Sequence, residues 1–145
     1  KSTALIGIKH MNRLEQVLAR SEWDDEFHEG ILCDVDDNVI EGTFSNIFLV
    51  KNGELRTPRL EYSGVAGVMR QIICDIIAPK LDIPVYVTPL TLMDFKEADE
   101  VFFCNSVMGI WPVANIEHLG EYSQRKITKW LQHDIHRLFE GTLDY

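Results

Sequence analysis

From Ser63 to the C-terminus the sequence switches repeatedly between helical and strand-like spacing of its apolar residues, and this alternation constrains the fold more than any other feature. A small-residue loop, Ser63-Gly64-Val65-Ala66-Gly67, opens a helical pattern through Met69, Ile72, Ile73, Ile76 and Ile77, which Pro79 is expected to stop. Short β-rich runs follow at Val85–Val87 and Val101–Cys104, separated by a helical segment around Leu92–Ala98. Ile127, Trp130, Leu131, Ile135, Leu138 and Phe139 then form one long apolar stripe with Lys, Arg, Gln and Asp between them, which predicts a terminal helix. Strands interleaved with helices predict an α/β fold in which helices flank a sheet.

The first half reads mostly as sheet. Leu14, Val17 and Leu18 recur at helical spacing and predict an amphipathic helix over Met11–Trp23, followed by an acidic connection, Glu22 to Glu29. Gly30–Val35 and Thr43–Val50 read as strands bridged by the turn-forming Asp36-Asp37-Asn38. Lys51-Asn52-Gly53-Glu54 is a second turn signal, and Leu55–Thr57, ending at Pro58, should return along the preceding strand.

Composition excludes several functional classes. The 145 residues, 46% of them hydrophobic, suffice for one core, so residues 1–145 are expected to be a single domain. A net charge of −9 argues against nucleic acid, whose phosphates call for clustered Lys and Arg. No apolar stretch approaches the roughly 20 residues that cross a bilayer, and KSTALIGIKH lacks a signal-peptide layout, so no membrane partner is expected. Cys33, Cys74 and Cys104 are odd in number and far apart, which fits free thiols in a reducing, cytoplasmic setting. A start at Lys1, without an initiator Met, suggests an upstream domain that is not represented.

Individual residues carry weak signals, each with an ordinary alternative. Lys9, between the apolar run Ala4–Ile8 and a helical segment, would become nucleophilic if desolvated, although most lysines are solvated surface charges. Glu41 lies in the strand-forming stretch Val39–Phe48. It either meets a protonated ring nitrogen of a cofactor or sits in water on an edge strand. Gly67, Val68 and Met69 start a helix, where free N–H groups suit an anion, yet such loops commonly serve only as caps. Asn105 and Ser106 close the strand Val101–Cys104, at the end where α/β sheets tend to bind ligands. Asp34-Val35-Asp36-Asp37-Asn38 begins like a calcium loop but has Val39 in place of the required Gly and Ser45 in place of the terminal Glu. His133 and His136 share a helix face with no third ligand at metal spacing, and Trp111 and Trp130 read as core or interface aromatics.

Taken in order, these motifs resemble the fold-type IV pyridoxal-phosphate (PLP) enzymes. Lys9-His10-Met11-Asn12-Arg13-Leu14-Glu15-Gln16-Val17-Leu18 is similar to the segment bearing the cofactor lysine in 4-amino-4-deoxychorismate lyases. Glu41–Asn46 resembles the Glu-Gly-x-x-x-Asn stretch of the wider family, which includes branched-chain and D-amino-acid aminotransferases. Gly67-Val68-Met69-Arg70 looks like its Gly-Ile-Thr-Arg phosphate loop, with Met69 in place of the Thr, so a contact there would come from the backbone. Cys104-Asn105-Ser106 precedes Trp111-Pro112-Val113 as in the lyases, whereas aminotransferases usually read differently there.

The resemblance implies a C-terminal α/β domain whose mixed sheet curls into a partial barrel with flanking helices. It implies Lys9 as the catalytic, PLP-bearing lysine, Glu41 on the pyridine nitrogen, and Gly67, Val68, Met69 and Ser106 at the phosphate. It further implies elimination of pyruvate from 4-amino-4-deoxychorismate to give 4-aminobenzoate, a small-molecule substrate, a homodimer, and an absent N-terminal domain carrying another phosphate-gripping arginine. Arg13, Arg59 and Asn105 are candidates for holding the substrate, the two arginines by charge. An aminotransferase and a non-catalytic scaffold are the rival readings.

Overall fold

The computed structural model describes residues 19–20, 28–42, 45–59 and 67–143. Its centre is the pairing of β5 (Asn46–Lys51) with β8 (Glu100–Asn105), two strands whose residues are buried almost throughout. Ile47 and Leu49 of β5, with Val101 and Phe103 of β8, enter one core. Phe48 and Val50, with Phe102 and Cys104, enter a second core on the opposite face. A strand covered on both faces has no polar side to alternate with, which explains these nearly continuous apolar runs. The pairing is antiparallel, with Ile47 opposite Phe103 and Phe48 opposite Phe102. The rings of Phe48 and Phe102 stack with centroids 4.9 Å apart.

Three further strands complete a mixed five-stranded sheet ordered β7-β6-β5-β8-β9. These are β6 (Glu54–Thr57), β7 (Val85–Val87) and β9 (Gly109–Pro112). The β5–β6 turn has Asn52 at φ 53° and Gly53 at φ 78°. Two consecutive positive φ values match the twist of a two-residue hairpin, as the Asn-Gly pair foretold. β6 and β7 run parallel, so a crossover must join them. That crossover contains a helical run made of α1 (Val68–Ile72), a wide π turn (Ile73–Ile77) and α2 (Ala78–Lys80). The run and α4 (Lys126–Leu143) cover the second core through Met69, Ile73, Ile77, Ile127, Leu131 and Ile135. The first core is covered by the hairpin of β3 (Ile31–Cys33) and β4 (Val39–Gly42), together with α3 (Leu92–Lys96). Tyr122 joins that core, donating its hydroxyl to the Phe95 carbonyl at 2.5 Å. Burial pushes its pKa up to about 12, so it remains a neutral donor.

The sheet and its flanking helices agree with the expected α/β class, and among the described strands β7 and β9 end the sheet without closing it. Several local expectations need correction. Ala19–Arg20, assigned above to a helix over Met11–Trp23, form a strand, β1, between β2 (His28–Glu29) and β10 (Asn115–Ile116); β11 (Gly120–Glu121) pairs with β10 beyond. Cross-strand partners from distant sequence override local helical spacing there. The remainder of that predicted helix lies outside the described residues. Of the expected strand Thr43–Val50, residues 43 and 44 lie outside the described residues, Ser45 is a bend and β5 opens at Asn46; the partner of β3 is β4, not β5. Pro79 does not stop the helix, which continues to Lys80. In a regular helix the Pro79 ring would press on the Asp75 carbonyl four residues back, but Asp75 lies in the wide π turn, which relieves the clash.

The acidic bend that resembled a calcium loop is a turn built by its own side chain. Asp34 Oδ1 accepts from the Asp36 amide at 2.8 Å and the Asn38 amide at 2.9 Å. At the far end of β8, Glu100 is only 3% exposed and caps α4. Its carboxylate accepts from the Ile127 amide at 3.0 Å, the Thr128 amide at 2.9 Å and the Thr128 hydroxyl at 2.7 Å. These amides belong to the first helical turn, where no partner exists within the helix. Glu100→Ala would orphan all three donors and should cost about 3 kcal/mol or more, read as a lowered midpoint in chemical denaturation. A loss below about 1 kcal/mol would show that water replaces the carboxylate there.

Candidate functional site

The expected phosphate loop is anchored by an asparagine at the start of β5. Asn46 is 5% exposed, and its Oδ1 accepts the Gly67 amide at 3.0 Å. The approach is too close for a side chain, since a Cβ on Gly67 would lie 2.7 Å from that oxygen. Gly67 is extended, φ −72° and ψ 159°, and no side chain caps the helix it precedes. The Val68 and Met69 amides therefore begin a helical run with neither a helical acceptor nor a cap among the described residues. Convergent N–H groups at the positive end of a helix form a donor set suited to a phosphate. The Met69 side chain is buried in the second core, so only its backbone is available to such an anion.

The turn after β8 meets this helix. Asn46 pairs with Cys104 in the β5–β8 register, which puts the start of β5 and the end of β8 at one edge of the sheet. Asn105 Oδ1 accepts from the Val107 amide at 3.0 Å and the Met108 amide at 2.7 Å, shaping the turn that presents Ser106. Ser106 is exposed. Met69 and Ser106 line one cleft of about 320 Å³, with Gln132, His136 and Phe139 of α4 on its other side. The structure thus brings Met69 and Ser106 to one cleft, with Gly67 tied to Asn46 opposite Cys104, while the oxygen of Asn105 is engaged in its own turn. Cys104 beside them is fully buried, and desolvation pushes its thiol pKa far above the ordinary value, so it acts as packing.

Glu41 owes its direction to an irregularity in β4. Leu32 pairs with Glu41 but Cys33 pairs with Val39, so Ile40 is an extra residue, a β-bulge. Ile31 and Cys33 enter the first core; Leu32 between them points the other way, and its partner Glu41 shares that face. Without the bulge Glu41 would follow Val39 into the core. A half-buried carboxylate turned off the core by a bulge suits the partner of a protonated ring nitrogen. Next to it, Gly42 packs against a buried pair in which Ser45 donates its hydroxyl to Glu29 at 2.8 Å. A Cβ on Gly42 would lie 2.8 Å from Glu29 Oε2.

Lys9 and Arg13 lie outside the described residues. Arg59 is exposed, immediately after the buried Pro58. Asn46 was legible only as part of a motif, and its hold on Gly67 was not foreseen; a polar residue opening an otherwise apolar strand was the available signal. Glu29, hidden in the acidic connection, gave no signal. His136 Nε2 lies 2.9 Å from Glu140 Oε2 one turn away. The described residues contain no group of three or more potential metal ligands and no helix long and apolar enough to cross a membrane.

Comparison with known proteins gives a consistent result. The family model for amino-transferase class IV matches residues 1–116. The chain is 42% identical over 135 residues to an aminodeoxychorismate lyase of Vibrio harveyi, covering 90% of this chain and 49% of that protein. It is 38% identical over 113 residues to a probable branched-chain-amino-acid aminotransferase of Thermotoga maritima, covering 77% and 41% respectively. The chain therefore spans about half the length, or less, of these curated relatives. Among solved structures, 4-amino-4-deoxychorismate lyase from Pseudomonas aeruginosa is 42% identical with a TM-score of 0.71, over 100% of this chain and 52% of that one. An aminotransferase from Brucella abortus bound to PLP is 27% identical with a TM-score of 0.70, over 79% and 40%.

The contact between Asn46 and Gly67 yields a direct test. Gly67→Ala must displace the Asn46 amide and should cost about 1–3 kcal/mol in thermal or chemical unfolding. Combining it with Asn46→Ala should give a coupling above about 0.5 kcal/mol. Strict additivity would show that the two residues act independently.

Proposed function

The chain belongs to the class IV aminotransferase family, and on that premise we propose that it is the cofactor-bearing part of a PLP-dependent 4-amino-4-deoxychorismate lyase. The observation that carries the lyase reading is the 42% identity to both a curated and a solved lyase. It is joined to the Lys-His-x-Asn-Arg-Leu run at Lys9–Leu14. In this reading the donor set fits the cofactor. The Val68 and Met69 amides, opened by Gly67, take the phosphate with the Ser106 hydroxyl, and Glu41 keeps the ring nitrogen protonated.

PLP, when bound, supplies an electron sink for the bond being broken. Lys9 anchors the cofactor through its amine in the resting enzyme. With its amine free, Lys9 would be the base that takes the proton from the carbon bearing the substrate nitrogen. Cleavage of the ring C–O ether bond at the neighbouring carbon would release enolpyruvate, which takes up a proton to become pyruvate, and leave aromatic 4-aminobenzoate; aromatisation makes the step downhill. Arg13 and Arg59 are the charged candidates for the substrate carboxylates. The reading includes a cytoplasmic homodimer in which a further N-terminal domain completes the site. Light scattering that finds only monomers would count against the dimer.

The second reading, an aminotransferase for branched-chain or D-amino acids, is favoured by the 38% identity to the Thermotoga maritima protein. Assay of the full-length enzyme separates the two, through 4-aminobenzoate and pyruvate in one case and glutamate from a 2-oxo acid in the other. A scaffold without catalysis would give no borohydride-trapped adduct with PLP. Lys9→Ala should remove both the trapped adduct and the visible absorption of bound cofactor, and reduce turnover by at least about a thousandfold. Turnover that survives this change would exclude Lys9 from the chemistry.

A further inference from the structure

Arg70 is engaged at one end of its guanidinium and idle at the other. Its Nη2 donates to the carbonyl of Pro58, the residue that follows β6, at 3.1 Å. Its Nε is enclosed and has no hydrogen-bond partner among the described residues. The residue stands three positions after Gly67, in the first turn of the helical run, and its side chain reaches back over the chain leaving the sheet. Its charge acts on Cys74, one turn along the helix, and on Cys104, two residues before Ser106. The guanidinium therefore lies against the chain leaving β6, at the end of the sheet where β5 begins and β8 ends. Holding a single carbonyl does not require five N–H donors and a permanent charge. Enclosing one of those donors unpaired is a cost that a clamp alone would avoid.

We propose that Arg70 is a positioning residue for the anion cradle: it ties the chain after β6 to the first turn of the helical run and sets a fixed positive charge behind the Val68 and Met69 amides. A phosphate in the cradle is thereby held in its doubly charged form. The inference rests on the reading of those amides as the phosphate site. It adds a residue that does not touch the ligand but fixes both the geometry and the field around it. The idle Nε marks the difference from a plain structural arginine, because the charge is kept although one of its donors is left unused.

The test uses the PLP holoenzyme with Arg70→Met, which removes charge and fork, and Arg70→Lys, which keeps the charge. PLP affinity is measured by absorbance, and the phosphorus-31 resonance of bound phosphate is followed on both sides of its second ionisation, at about pH 6. Arg70→Met should weaken PLP binding about tenfold or more and shift that ionisation to higher pH. Arg70→Lys should restore the ionisation midpoint and part of the affinity. Arg70→Gln serves in place of Arg70→Met if the latter fails to fold. Weakened binding with an unchanged ionisation would reduce Arg70 to a clamp and overturn the proposal, as would affinity within about twofold of the parent.

Inorganic phosphate, titrated in parallel, separates this inference from the functional reading. Phosphate binding that depends on Arg70 in a protein that takes no PLP would uphold Arg70 and sink the cofactor assignment. PLP binding indifferent to Arg70 would do the reverse, and a parent protein that binds neither ligand would overturn both.

Discussion

Everything else in the molecule is arranged around the antiparallel register of β5 and β8. Because both strands are buried on both faces, a slip of β5 by one residue would send Phe48 into the core of Phe103 and Ile47 into that of Phe102. Each fully buried aromatic or aliphatic side chain contributes about 1.5–3 kcal/mol, so the penalty for slipping grows with every pair. The same register that sorts the cores sets Asn46 level with Cys104. Apolar packing thus fixes the spacing between the entry at Gly67 and the turn at Ser106.

Each central strand also opens with a polar residue that holds backbone amides at the head of a helical run. Asn46 holds the Gly67 amide ahead of α1, and Glu100 holds the Ile127 and Thr128 amides of α4. The two differ in what they leave open. Glu100 consumes the free donors of its helix and closes that end of the sheet as structure. Asn46 takes the amide preceding its helix, and no side chain among the described residues caps the next donors. The difference between a sealed end and a receptive one comes down to which amide the strand residue reaches.

Much of this was legible in the sequence where a pattern has one local cause. The apolar stripe over Ile127–Phe139, the Asn52-Gly53 turn and the runs Val85–Val87 and Val101–Cys104 all became the elements their spacing implied. What failed depended on distant partners. Ala19–Arg20 are a strand only because Asn115–Ile116 and His28–Glu29 lie on either side of them. The direction of Glu41 rests on one extra residue, Ile40, which no periodicity of the sequence betrays. The ordered motifs pointed to Gly67–Met69 and Ser106. The parts played by Asn46 and Arg70 became visible only with the folded chain, because each acts by reaching across from another element.

The wide turn ahead of Pro79 separates the helical run into two stretches that need not share a phase. Upstream, Met69 and Ile73 are set by the glycine-led entry; downstream, Ile77 and Ala78 are set by the approach to β7. A turn of five residues per bond can shed one residue and revert to ordinary pitch. Changes of chain length at this point are therefore absorbed as a change of winding, and the crossover can be shortened or restored there while the loop at its head stays where β5 holds it.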